Sequence, residues 1–87
     1  MLWLDGNKIG DEGAKALAAS VAVSGSLATL DLNCNMIGDE GAKALATGVA
    51  ASGYMTTLTL HFNNIGGAAK ESLQDAVQGR QGFKLGL

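Results

Sequence analysis

The string I-G-D-E-G-A-K-A-L-A runs from Ile9 to Ala18 and returns, letter for letter, from Ile37 to Ala46, an offset of 28 residues. A third, degraded copy starts at Ile65 and reads I-G-G-A-A-K-E-S-L-Q; Ile65, Gly66 and Leu73 keep their places, and Val21, Val49 and Val77 continue the match. Self-similarity at one fixed step means that each copy is a single supersecondary unit. Such a unit cannot bury its own apolar face and does so only against its neighbours. The chain is therefore expected to grow by stacking like units, and its 87 residues allow about three of them.

Ahead of each copy lies a second pattern. Leu27, Leu30, Leu32, Asn35 and Ile37 give L-x-x-L-x-L-x-x-N-x-I, which Met55, Leu58, Leu60, Asn63 and Ile65 repeat; Leu2, Leu4, Asn7 and Ile9 give a shortened start. Leu30 and Leu32 alternate with Thr29 and Asp31, the period-2 signal of a short strand. Ala14, Leu17, Ala18 and Val21 then fall on one face of a helix. Gly10 or Asp11 is expected to cap that helix, with Glu12 near its positive end. Lys15 is expected to pair with Asp11, and Lys43 with Asp39, at four-residue spacing. Ser24-Gly25 and Ser52-Gly53 end the helices and turn the chain back. Each unit thus reads strand, turn, helix, turn.

The second pattern resembles the leucine-rich-repeat consensus, and the 28-residue unit with its G-D-E-G-A-K-A-L-A helix resembles the ribonuclease-inhibitor type. The resemblance implies an α/β fold: a right-handed solenoid of about three repeats plus a terminal strand, with a short parallel sheet on one side and helices on the convex side. Repeats are expected at about residues 1–26, 27–54 and 55–82, with the terminal strand at 83–87. Strands are expected near residues 2–4, 30–32, 58–60 and 85–87, the last reached through a turn about one residue shorter than the others. Met1 falls inside the first strand pattern, so the chain reads as the C-terminal part of a longer array whose uncapped N-terminal edge favours self-association.

Composition removes several classes of function. The net charge is −2 with no basic stripe, which argues against nucleic acid. The longest apolar stretch is broken by Ser and Gly and is too short for a bilayer, and the start has neither the basic nor the apolar region of a signal peptide. A single cysteine, Cys34, forms no internal disulfide and fits the cytoplasm.

The candidate chemistry is sparse. Cys34 and His61 are the only soft metal ligands, fewer than zinc needs, and Cys34 is expected to be a small packed residue. The acidic pairs Asp11/Glu12 and Asp39/Glu40 have no histidine partner, and G-D-E-G-A-K lacks the Gly-Lys-Ser/Thr of a phosphate-binding loop. No catalytic residue, cofactor or metal site is expected. Asn7, Asn35 and Asn63 are expected to satisfy backbone groups where the chain leaves each strand. By alternation, the side chains left for the open concave face are Trp3 and Asp5, then Thr29, Asp31 and Asn33, then Thr57, Thr59 and His61, with Phe62 at the strand exit. Trp3 reads either as an interface anchor or as a residue whose covering repeat lies upstream.

Repeats resembling these occur in ribonuclease inhibitor, in the sensing domains of nucleotide-binding leucine-rich-repeat receptors and in the GTPase-activating protein for Ran. The resemblance implies a non-catalytic module that binds a protein on its concave face, as the sensing end of a receptor or scaffold. The alternative is a fragment of a GTPase-activating regulator like the activator of Ran, although no activating residue maps onto the chain.

Overall fold

The computed structural model describes residues 2–4, 6 and 8–87, with residues 2 and 3 described by their backbone alone. Met1 and the readings placed on Asp5, Asn7 and the Trp3 side chain lie outside the described residues. Strand and helix alternate along the chain: β1 (Leu2–Trp3), α1 (Gly10–Val23), β2 (Thr29–Asp31), α2 (Asp39–Ala51), β3 (Thr57–Thr59), α3 (Gly67–Val77) and β4 (Lys84–Gly86). Parallel strands cannot be joined by a tight turn, so each helix serves as the crossover. The four strands lie in chain order in one parallel sheet, an α/β repeat.

Register carries the repeat into space. Leu2 pairs with Leu30 and Leu30 with Leu58, each 28 residues on, whereas Leu58 pairs with Leu85, 27 residues on. The last turn is one residue shorter, and Gly79 and Gly82 close it with φ of +85° and +79°. The strands centre on Leu30, Leu58 and Leu85, one residue earlier than the sequence pattern suggests, although backbone bonds continue past their ends, from the Leu32 N–H to the Thr59 carbonyl (2.9 Å) and from the Leu60 N–H to the Gly86 carbonyl (2.7 Å).

Leu30, Leu32, Ile37, Leu45, Leu58, Leu60 and Leu73 fill the layer between sheet and helices and are essentially solvent-free. Burying a side chain of this size contributes about 1.5–3 kcal/mol. Ala14, Ala18, Ala42, Ala46 and Ala69 complete the layer and let the backbones come close. The approach of α1 to α2 is tight enough to demand glycine: a Cβ on Gly48 would lie 2.5 Å from the Ala18 carbonyl oxygen, and one on Gly41 would lie 2.9 Å from the Ala14 Cβ.

The helix starts correct the capping assignment. Ile9, not Gly10 or Asp11, precedes the first turn of α1, and no side chain caps that helix. The Asp11 carboxylate instead reaches into the next repeat, where its Oδ1 accepts hydrogen bonds from the Gly38 N–H (2.6 Å) and the Gly41 N–H (3.0 Å) at the start of α2. Asp39 does the same for α3 by accepting from the Gly66 N–H at 2.6 Å. The third copy carries Gly67 at this position. Pairing of Lys15 with Asp11 and of Lys43 with Asp39 is accordingly not formed. Lys15 joins Glu40 of the next helix (3.4 Å) and Glu12 of its own (3.6 Å). Its pKa is raised above 10.5, first by the hydrogen bond to Glu40 and then by the charge of Glu12.

At the other helix ends the serines act locally. Ser24 Oγ accepts from the N–H groups of Ser26 and Leu27, and Ser52 Oγ from those of Tyr54 and Met55. Each folds the chain back toward its strand, as short hydroxyl side chains do.

Candidate functional site

Side chains on a strand alternate between faces. Leu30 and Leu58 are buried against the helices, so their half-buried neighbours Thr29, Asp31, Thr57 and Thr59 occupy the opposite face of the sheet. Parallel register arranges them in rows. Thr29, Thr57 and Lys84 form one row; Asp31, Thr59 and Gly86, with Trp3 paired to Asp31 in β1, form the next.

Beyond the strands this face is held by side-chain to backbone bonds. Asp31 Oδ1 accepts from the Asn33 N–H at 3.1 Å, and Asn33 Oδ1 accepts from the His61 N–H at 2.7 Å. Asn33 is thus half-buried and engaged, while the His61 imidazole is exposed. The ring bends over β4: its Nε2 lies 2.6 Å from where a Cβ on Gly86 would be, with the Thr59 Cγ2 at 3.2 Å. The Thr59 hydroxyl next to it is out of solvent contact and has no hydrogen-bond partner.

At the strand exits the backbone turns left-handed without glycine. Cys34 and Phe62 both have φ of +60°, and Met36 follows at +59°. Phe62 is 86% exposed and Met36 is 68% exposed. The Cys34 N–H donates to the His61 carbonyl at 3.0 Å, which sets the two exit turns side by side. Cys34 is exposed, contrary to the packed position expected of it, because the left-handed turn throws its side chain outward.

Asn35 and Asn63 lie beneath these turns. Asn63 Oδ1 accepts from the N–H groups of Asn35 (3.0 Å) and Ile37 (2.9 Å), and its Nδ2 donates to the carbonyls of Leu32 (2.8 Å) and Leu60 (3.1 Å). Asn35, fully buried, repeats the pattern one unit earlier: Nδ2 donates to the Leu4 (2.7 Å) and Asn33 (3.1 Å) carbonyls, and Oδ1 accepts from the Ile9 N–H at 3.4 Å. Each amide joins one repeat to the one before it.

Arg80 was not singled out by sequence. It stands 28 residues after Ser52, where the repeat has serine. Its Nη2 donates to the carbonyls of Ala50 (3.1 Å) and Ser52 (2.7 Å) at the end of α2, and the guanidinium lies 6.0 Å from the Phe83 ring centre. The departure from serine at position 80 is the signal that could have found it.

Among the described residues no cluster of three or more His, Cys, Asp or Glu is placed to hold a metal ion, and no helix is long and apolar enough to cross a membrane. Residues 2–18 and 25–46 match the family model described as Leucine Rich repeat, which supports a leucine-rich repeat protein. Such repeats are typically non-catalytic and generally mediate protein–protein interaction. No curated protein matches the chain.

Proposed function

We propose that the chain is a protein-recognition module that binds its partner on the sheet face opposite the helices, without chemistry. The observation that carries this reading is the fixed presentation of the face: Thr29, Asp31, Thr57 and Thr59 stand in register, and Asn33 and His61 are tied to it through their backbones. Side chains already held in place lose little freedom on binding, which favours affinity. Phe62, exposed at the edge of the face, is of a residue type that anchors interfaces. The reading extends to a right-handed solenoid of the ribonuclease-inhibitor type, with repeats at about 1–26, 27–54 and 55–82 and a terminal strand at 83–87. The face is then concave, and the chain acts as the sensing end of a receptor-like or scaffold protein in the cytoplasm.

The test is capture of a protein partner by the purified chain, followed by paired variants. His61→Ala with Phe62→Ala should weaken capture at least about tenfold, the usual effect of removing interface anchors. Lys43→Glu, on the exposed side of α2, should leave it unchanged. Loss of capture with Lys43→Glu and its retention in the sheet-face variant would place the binding surface on the helices.

A further inference from the structure

The sheet face is not uniform in charge. β2 contributes the Asp31 carboxylate, half-exposed and held by the Asn33 N–H. β4 contributes Lys84, exposed and paired in register with Thr57, so that its ammonium shares the face with the threonine hydroxyls. Between them, Thr59 has a hydroxyl with no hydrogen-bond partner. Such groups are rare in folded proteins because each loses its bonds to water and gains none in return. Gly86, in register with Thr59, leaves a notch in the face that the His61 imidazole enters, with the Thr59 methyl beside it.

We propose that the β3–β4 half of the sheet face is a subsite for an acidic segment of a protein partner. The proposal rests on the sheet-face reading above and names the chemistry of what binds there. An aspartate or glutamate side chain of the segment meets the Lys84 ammonium beside the Thr57 hydroxyl. The segment's backbone comes close over Gly86, where no Cβ stands in the way, as the exposed His61 ring swings aside. A carbonyl of the segment then gives the Thr59 hydroxyl its missing acceptor. Asp31, two strand spacings of about 4.8 Å from β4, sets the orientation: it repels a carboxylate over β2 and so confines the acidic side chain to the β4 side. A single lysine with no arginine on this face suits a carboxylate rather than a phosphate, which is characteristically gripped by a bidentate guanidinium. The one nearby arginine, Arg80, is committed to the carbonyls of Ala50 and Ser52.

The test uses the isotopically labelled chain and amide spectra recorded with three probes: a glutamate-containing Gly/Ser decapeptide, the lysine-containing equivalent, and a ten-nucleotide single-stranded DNA. The acidic peptide should shift the amides of Thr57, Thr59, Lys84 and Gly86, and the lysine peptide and DNA should not. Lys84→Glu should weaken the acidic peptide about tenfold, while Asp31→Asn, which keeps an oxygen for the Asn33 N–H, should strengthen it about two- to threefold. Opposite responses from two variants that both retain the fold do not arise from general damage. Equal shifts from the acidic and basic peptides, or an affinity indifferent to Lys84→Glu, overturn the subsite but leave the sheet-face reading intact. Stronger shifts from DNA replace the acidic segment with a nucleic acid. Shifts confined to α1–α3 overturn both readings.

Discussion

The Asn35 amide is fully buried and bonds to backbone on both sides of a repeat junction. It supports the backbone of the preceding repeat at Leu4 and Ile9 and that of its own repeat at Asn33. Asn35→Ala strands those buried groups and should cost about 1–3 kcal/mol, read as a lower urea midpoint with an unchanged slope. A variant as stable as the parent would mean that water replaces the amide. Phe62 is the opposite case: it is exposed and sits in a left-handed conformation that a non-glycine residue adopts at a cost of roughly 1 kcal/mol. Phe62→Gly should therefore raise the unfolding midpoint while weakening partner capture. If stability and capture fall together, Phe62 supports the fold instead of the interface.

The helices show which elements a single sequence makes legible. Spacings of three and four residues place α2 and its buried stripe of Ala42, Leu45, Ala46 and Val49. Leu45→Ala should cost about 2–5 kcal/mol, whereas Lys43→Ala, on the exposed side, should cost a few tenths; comparable urea midpoints would mean the faces are misassigned. The destination of Asp11 is not legible in that way. The i,i+4 rule points to Lys15, but an exposed ion pair is worth only a few tenths of a kcal/mol. Two unsatisfied N–H groups at the start of the next helix, 27 and 30 residues away, offer the carboxylate more. Asp39→Ala removes the equivalent bond and should destabilise α3 by about 0.5–2 kcal/mol. The loss should appear first as faster hydrogen exchange at residues 66–70. The rows of the sheet face follow from strict alternation around Leu30 and Leu58. The exit turns do not, since nothing in Cys34 or Phe62 announces a positive φ; Arg80 is marked by standing where the repeat has serine, but that departure does not name the carbonyls it binds.

At the scale of the molecule, two sets of bonds run along the stack in opposite directions. The aspartates Asp11 and Asp39 reach forward from one helix to the start of the next, and Asn35 and Asn63 reach back from one strand exit to the repeat before. Residues 27–54 take part in both sets: they receive from Asp11 and supply Asp39, and they supply Asn35 and receive from Asn63. What such a unit offers its follower is therefore what it requires from its forerunner, as with a tile whose two edges match. An extra copy of residues 27–54 inserted after position 54 should find every partner it needs. The lengthened protein should gain one strand, about 4.8 Å of sheet, and a higher unfolding midpoint. The same insertion with Asp39 and Asn35 changed to alanine in the new copy should lose most of that gain. Length, in this chain, is something copying alone could change.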